Sequence, residues 1–204
     1  WQSLYPVRAQ LALQHVSCSE SSPSWMIDIL IEKTKYQNAP ANQIAYIDPQ
    51  GQLYHCESGY VDGLPLLSDP ISADTRFRYA SVTKLWTADA ILDLIKEERL
   101  TLEMPLAELL PQIDQPKDAR VNDITIKQLL EHQSGFNRLD IQGNDMFGIG
   151  EPICPNSIEK MNSIKLSFTP GTQTSYSNLG YCLLGAVVEQ VSGQSYQEYL
   201  QTHY

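Results

Sequence analysis

The chain has 204 residues, enough for one large domain or two small ones, with 42% hydrophobic and 19% charged residues, an ordinary globular mix. With 14 Lys and Arg against 24 Asp and Glu, its formal charge is -10, the wrong sign for broad contact with a phosphate backbone, so no nucleic-acid partner is expected. The longest uncharged apolar run, Tyr181 to Val188, is too short to cross a bilayer, so no membrane span is expected either. From the N-terminus, residues 1–24 read as a lead-in that ends in a serine-rich stretch from Ser19 to Ser24. Ser24 is placed to cap a helix over 25–36 with Trp25, Ile29 and Tyr36 on one face, and Asn38-Ala39-Pro40 stops it. Residues 43–48 and 52–60 read as two strands around the turn Pro49-Gln50-Gly51, followed by a polar loop to Asp74.

The strongest helical pattern runs from Ser81 to Leu100. Val82, Leu85, Trp86, Ala88, Ile91, Leu92 and Ile95 form a wide apolar face, with Lys96, Glu97, Glu98 and Arg99 at the polar end. A short turn over 106–110 ends at Pro111, and a second helix over 125–132 has Gly135 placed to end it. Residues 136–155 read as a long loop rich in Gly, Asn and Asp. A third helix spans 178–191, stopped by Ser192-Gly193, and another begins at 196–200. Two strands against about five helices give an α+β fold class.

Cys18, Cys56, Cys154 and Cys182 form an even set with three possible pairings, but no CxxC pair and no histidine at metal-ligand spacing. The plainest expectation is at most one disulfide, with Cys182 buried as a small hydrophobe. No zinc-protease, EF-hand, P-loop or dinucleotide motif occurs, and His15, His55, His132 and His203 are scattered, so neither a metal nor a cofactor is expected. The chain begins at Trp1 without an initiator Met or a charged n-region, which is compatible with removal of a signal peptide before numbering began.

The chemistry-bearing pattern is Ser81-Val82-Thr83-Lys84. Residues three apart share a helix face, so Lys84 can reach the Ser81 hydroxyl. Ser81 also opens the helix, where backbone N–H groups and the positive dipole end stabilise an alkoxide or oxyanion. An apolar helix behind Lys84 disfavours its ammonium form and suits it to act as a base. The tetrapeptide is not diagnostic alone, because Ser157-Ile158-Glu159-Lys160 repeats it where Asn156 and Glu159 suggest only a capped helix start. Tyr-x-Asn also occurs twice, as Tyr36-Gln37-Asn38 at the end of the first helix and as Tyr176-Ser177-Asn178 before the third.

Order separates the copies. Phe77-Arg78-Tyr79-Ala80-Ser81-Val82-Thr83-Lys84 precedes Ile124-Thr125-Ile126-Lys127-Gln128-Leu129-Leu130-Glu131-His132-Gln133-Ser134-Gly135, which precedes Pro170-Gly171 and Tyr176-Ser177-Asn178-Leu179-Gly180-Tyr181. From about Trp25 to its end, the chain resembles the serine β-lactamase and penicillin-binding-protein superfamily, in the branch of class C β-lactamases, D-Ala-D-Ala carboxypeptidases and related esterases. The resemblance implies a β-lactamase/transpeptidase-like fold and a serine hydrolase acting through an acyl-enzyme on a β-lactam, D-Ala-D-Ala-type peptide or ester. Its partner would be a small-molecule or peptide substrate, in the periplasm or outside the cell. Ser81 would be the nucleophile, Lys84 would take or relay its proton, Tyr176 would pass a proton to the leaving group and activate water, and Asn178 would bind the acylamide. The Ser81 N–H would form half of an oxyanion hole, each such donor worth about 3–4 kcal/mol of barrier. His132 and Ser134-Gly135 match an architectural segment in which the histidine ties down the following loop, while Trp86 and Tyr181 read as core.

The family carries a further Lys- or His-x-Gly strand after Tyr-x-Asn, and neither triad occurs in this sequence. In the family that strand completes the oxyanion hole and lies beside the hairpin. A lone hairpin is marginal, so the simplest expectation is that residues 25–204 are the N-terminal part of one such domain. A missing C-terminal segment would complete it, and the 204-residue chain would be poorly active alone. Two alternatives share the same residues: a penicillin-binding sensor that acylates and hardly deacylates, and a non-catalytic protein that retains the fold.

Overall fold

The computed structural model describes residues 5–62, 65, 67–137 and 153–204, so most of the loop expected at 136–155 lies outside the described residues. The chain divides into two compact units, Trp1–Arg78 and Tyr79–Tyr204.

In the first unit, α1 (Tyr5–Ala12) leads to β1 (Val16–Cys18), α2 (Ser24–Tyr36), β2 (Ala41–Ile47) and β3 (Leu53–Gly59). The sheet is antiparallel with order β1-β3-β2. The expected hairpin is present with its ends shifted by one or two residues. Asp48 shapes its turn, because its Oδ1 accepts the N–H groups of Gln50 at 2.9 Å and Gln52 at 2.8 Å. α1 and β1 carry no periodic signal, and β1 changes the energetics of the hairpin. It pairs with the far side of β3, from Val16 opposite Ser58 to Cys18 opposite Cys56, so β3 is hydrogen-bonded on both edges.

Cys18 and Cys56 are cross-strand partners with Cα atoms 4.0 Å apart and form a disulfide, the single bridge the expectation allowed. Ser24 does not cap α2: Pro23 holds the cap position without a side-chain bond, and Ser24 is the first helical residue. The buried row of α2 is Met26, Leu30 and Thr34, one residue on from the expected Trp25 and Ile29, which are half-exposed. Met26 and Leu30 close over Cys56, and the Thr34 hydroxyl donates to the Leu30 carbonyl at 2.7 Å and meets Ser58 Oγ at 3.1 Å. A polar row is thus satisfied inside the unit, which is why hydrophobicity alone selects the wrong face.

The second unit contains α3 (Thr83–Lys96), α4 (Leu106–Leu109), α5 (Ile126–Leu130), α6 (Asn178–Ser192) and α7 (Tyr196–His203), with 3-10 turns at Ala80–Val82, Ala119–Asp123 and Ile158–Ser163. α6 supplies the centre of the core through Leu179, Leu183, Leu184, Val187 and Val188, and Gly193 ends it in the left-handed conformation at φ 77°. α3 adds Ala90, Ile91 and Leu94, and α5 adds Ile126 and Leu129. Thr125 and Gln128 form a capping box at the start of α5.

The helix expected over 125–132 is shorter, because His132 turns into the left-handed region at φ 59°. Gly135 does not end it. Gly135 has φ 94°, and a Cβ there would stand 2.7 Å from the Phe168 carbonyl oxygen, so the residue permits close passage of 167–168. The wide apolar face of α3 is also redistributed: Leu85 is 70% exposed and Leu92 51%, and Trp86 is half-exposed rather than core. Cys154 and Cys182 form a second disulfide with Cα atoms 5.8 Å apart, so Cys182 is a staple rather than a free apolar residue. Both bridges close loops of a length that contributes about 3–4 kcal/mol each on chain-entropy grounds.

Asp118 locks the segment before α5. Its carboxylate accepts from Arg120 Nε at 2.9 Å and Nη2 at 2.6 Å and from the Leu166 N–H at 3.0 Å, while Arg120 also donates to the Leu166 carbonyl at 2.9 Å. The Arg120 side chain, followed by these backbone donors, holds the carboxyl well below the usual carboxylate range. A lowered folded-state value means stability that is present above the unfolded aspartate value near 4 and eroded as pH falls beneath it. We expect Asp118→Ala to lower the unfolding free energy by about 2 kcal/mol at pH 7. In urea titrations the gap between variant and parent narrows below about pH 4.

Candidate active site

The chain enters α3 through a strained step. Ala80 is a non-glycine residue at φ 46°, and the 3-10 turn it begins carries Ser81 onto the first turn of the helix. The helix proper starts at Thr83 rather than at the expected Ser81, which leaves Ser81 exposed at the mouth and Lys84 half-buried one turn deeper.

Tyr176 and Asn178 come from the opening of α6. Ser177 is extended, nearly fully buried, and caps the helix by accepting the Gly180 N–H on its Oγ at 3.2 Å. On either side of this cap, Tyr176 and Asn178 reach the α3 opening. The Tyr176 hydroxyl donates to Ser81 Oγ at 2.8 Å, and Lys84 Nζ donates to Asn178 Oδ1 at 2.7 Å. Lys84 Nζ also lies 4.7 Å from the Tyr176 ring centre and 5.5 Å from that of Tyr181. The four residues singled out from the sequence are therefore brought together, and Tyr176 is in direct contact with Ser81.

His132 has a larger part than tying down its own loop. Its carbonyl accepts the Ser175 N–H at 2.8 Å and its Nδ1 accepts the Ser177 N–H at 3.2 Å, so one residue grips both neighbours of Tyr176. Its ring centre is 4.5 Å from that of Tyr176 and 5.1 Å from that of Tyr181. Burial, and then the charge of Lys84, push the imidazole below the usual histidine value, which favours the neutral acceptor form. Burial, and then Tyr176, push the Tyr181 phenol up, and its hydroxyl donates to the Leu130 carbonyl at 3.1 Å. Tyr181 thus supports Lys84 and His132 from below. The sequence shows the residue type at 132 but not its partner 45 positions away.

A cavity of about 360 Å³ adjoins this cluster. Lys84 and Asn178 stand at one side and the Cys154–Cys182 disulfide forms a wall. Thr87 and Tyr196, joined at 2.7 Å through their hydroxyls, line it as well. The second Ser-x-x-Lys copy is structural: Ser157 is buried and precedes the 3-10 turn, without the side-chain cap expected from Asn156 and Glu159. Tyr36-Gln37-Asn38 closes α2 in the first unit. Among the described residues, no group of three or more His, Cys, Asp or Glu is placed to hold a metal ion, and no helix is long and apolar enough to cross a membrane.

Comparison with known proteins agrees with this architecture. The family model described as Beta-lactamase matches residues 51–204. The chain is 42% identical over 200 residues to the probable fimbrial assembly protein FimD, serogroup H1, of Dichelobacter nodosus, covering 98% of this chain and 50% of that protein. It is 31% identical over 191 residues to esterase EstB of Burkholderia gladioli, covering 87% of this chain and 48% of that one. The solved octameric penicillin-binding protein homologue from Pyrococcus abyssi superposes with a TM-score of 0.64 at 27% identity, over 87% of this chain and 41% of that chain. The chain thus spans about half the length of these two curated relatives.

The cap at Ser177 yields a test of how the site is held. Ser177→Ala leaves the Gly180 N–H without its acceptor and should destabilise the protein by about 1 kcal/mol, read from chemical unfolding. An unchanged unfolding midpoint would remove the cap from the account.

Proposed function

Because the chain belongs to the beta-lactamase family, we propose that the protein is a serine hydrolase working through an acyl-enzyme on Ser81. The observation that carries this reading is the 2.8 Å contact between Tyr176 and Ser81 Oγ, with the Lys84 ammonium 4.7 Å from the same tyrosine ring. In the proposed reaction Tyr176 acts as the base toward the Ser81 hydroxyl it contacts, with Lys84 beside it.

In the acylation step, Ser81 Oγ attacks the substrate carbonyl carbon as its proton passes to the Tyr176 phenolate. The tetrahedral intermediate collapses by breaking the bond to the leaving amine or alcohol, and Tyr176 returns the proton to that leaving group. In deacylation Tyr176 takes a proton from water, the hydroxide attacks the Ser81 ester, and the Ser81 oxygen leaves with the proton held by Tyr176. The Ser81 backbone N–H, at the opening of α3, would serve as one oxyanion donor. The bond from Lys84 to Asn178 Oδ1 directs the other end of that amide, Nδ2, to donate to a substrate acylamide oxygen.

The substrate class is a β-lactam, a D-Ala-D-Ala-type peptide or an ester. The similarity to an esterase and to a penicillin-binding protein homologue supports an acyl carbonyl in each case. We assign residues 25–204 to the N-terminal part of one hydrolase domain. A further segment would supply the second oxyanion donor from a Lys- or His-x-Gly strand. Two disulfides suit an oxidising compartment, which supports a periplasmic or secreted location.

Intact-mass analysis of the full-length protein with a fluorophosphonate and a labelled penicillin tests the reading. Label on Ser81 that is absent in Ser81→Ala, with turnover of an ester or lactam, is the expected result. Tyr176→Phe should lower kcat by about 10²–10⁴-fold. A persistent penicillin adduct without turnover identifies a sensor instead, and no label on folded protein identifies a scaffold.

A further inference from the structure

His132 is gripped to the segment that carries Tyr176 but belongs to neither helix opening. Its two acceptors, the carbonyl at 2.8 Å from the Ser175 nitrogen and Nδ1 at 3.2 Å from the Ser177 nitrogen, straddle Tyr176 and fix the backbone on both sides of it. The imidazole also lies against the Tyr176 ring, with ring centres 4.5 Å apart. An Nδ1 that accepts an N–H cannot carry a proton, so the ring must be the neutral Nε2–H tautomer while this contact holds. The groups facing it from packed elements are Lys84 on α3, Tyr176 before α6 and Tyr181 on α6.

We propose that His132 is the positioning residue for Tyr176, and that its protonation releases the Ser177 N–H and uncouples Tyr176 from Ser81, setting the acid limit of activity. A protonated Nδ1 presents a donor to a donor, so the clamp on the C-terminal side of Tyr176 opens. It also places a second cation beside Lys84. Burial and Lys84 resist that protonation, so the contact persists to a more acid pH than an ordinary histidine would allow. The inference rests on the serine-hydrolase reading for its effect on activity, but the tautomer and its coupling to Tyr176 are independent of any reaction.

Two measurements on the full-length protein test it. In kcat–pH profiles with a chromogenic ester, His132→Asn, whose Oδ1 takes the place of Nδ1 and does not titrate, should lower kcat less than tenfold at pH 8 and shift or abolish the acid limb. His132→Ala, which removes the Nδ1 acceptor of the Ser177 N–H, should lower kcat by about 10–100-fold at every pH. A folded His132→Asn variant with the parent's acid limb overturns the proposal. Imidazole ¹⁵N NMR should show the Nε2–H tautomer at neutral pH, with a midpoint below 6.5 shared by the Ser177 amide and the Tyr176 ring resonances. An Nδ1–H tautomer, or Ser177 and Tyr176 signals that ignore the His132 midpoint, also overturns it, and this arm decides if the variants fail to fold. Absence of fluorophosphonate label on Ser81 in the parent would instead sink the hydrolase reading and leave the NMR result standing.

Discussion

The candidate site depends on one feature, the meeting of the α3 and α6 openings through the Tyr176–Ser81 and Lys84–Asn178 hydrogen bonds. Each pair joins residues more than ninety positions apart, so neither is maintained by local chain geometry. It is maintained by the shared core of the two helices, where Ala90, Ile91 and Leu94 of α3 belong to the same apolar cluster as Leu183, Leu184 and Val187 of α6. Packed interiors are stiff, so the positions of two rigid helices carry through to the polar groups at their ends. The exposed ends are where backbone donors and the helix dipoles are available for chemistry.

Around that contact, the supporting groups divide the work by direction. His132 acts along the backbone before α6, and Ser177 acts along the helix axis as its cap. Tyr181 lies one turn into α6, under the ammonium of Lys84 and against the imidazole. The Cys154–Cys182 bridge fastens a different stretch of chain to the same helix, beside the cavity that Lys84 and Asn178 border. The polar groups at the site are thereby constrained from several sides, which the proposed hydrolase chemistry would require.

Much of this was legible in the sequence where the signal is local. The hairpin turn is written in Asp48-Pro49-Gln50-Gly51, whereas the three-residue spacing of Ser81 and Lys84 gives no hint that Lys84 bonds Asn178 and Ser81 meets Tyr176. Tyr176 and Asn178 were legible only through the order of several motifs and the family resemblance. The remainder is non-local. The partners of the cysteines lie 38 and 28 residues apart, and β1 exists because β3 has a free edge to offer it. Apolar periodicity marks the existence of α2 and α3 but not which face each buries. The Thr34 hydroxyl occupies a buried position through hydrogen bonds, and Leu85 and Leu92 lie outside the core.

The left-handed turn at Ala80 has a consequence for what can occupy that position. Valine, isoleucine and threonine place a branched carbon against the preceding carbonyl at φ 46°, so they would push the hydroxyl of the next residue off its line. Glycine relaxes the conformational strain, about 1–2 kcal/mol for an L-residue, but lengthens the list of shapes open to the unfolded chain and to the turn itself. Alanine is a compromise between these costs: small enough to enter the disfavoured region, yet still bearing the one carbon that limits the swing of its neighbour. Variation at this single site would therefore trade thermal robustness against the sharpness with which the serine is aimed.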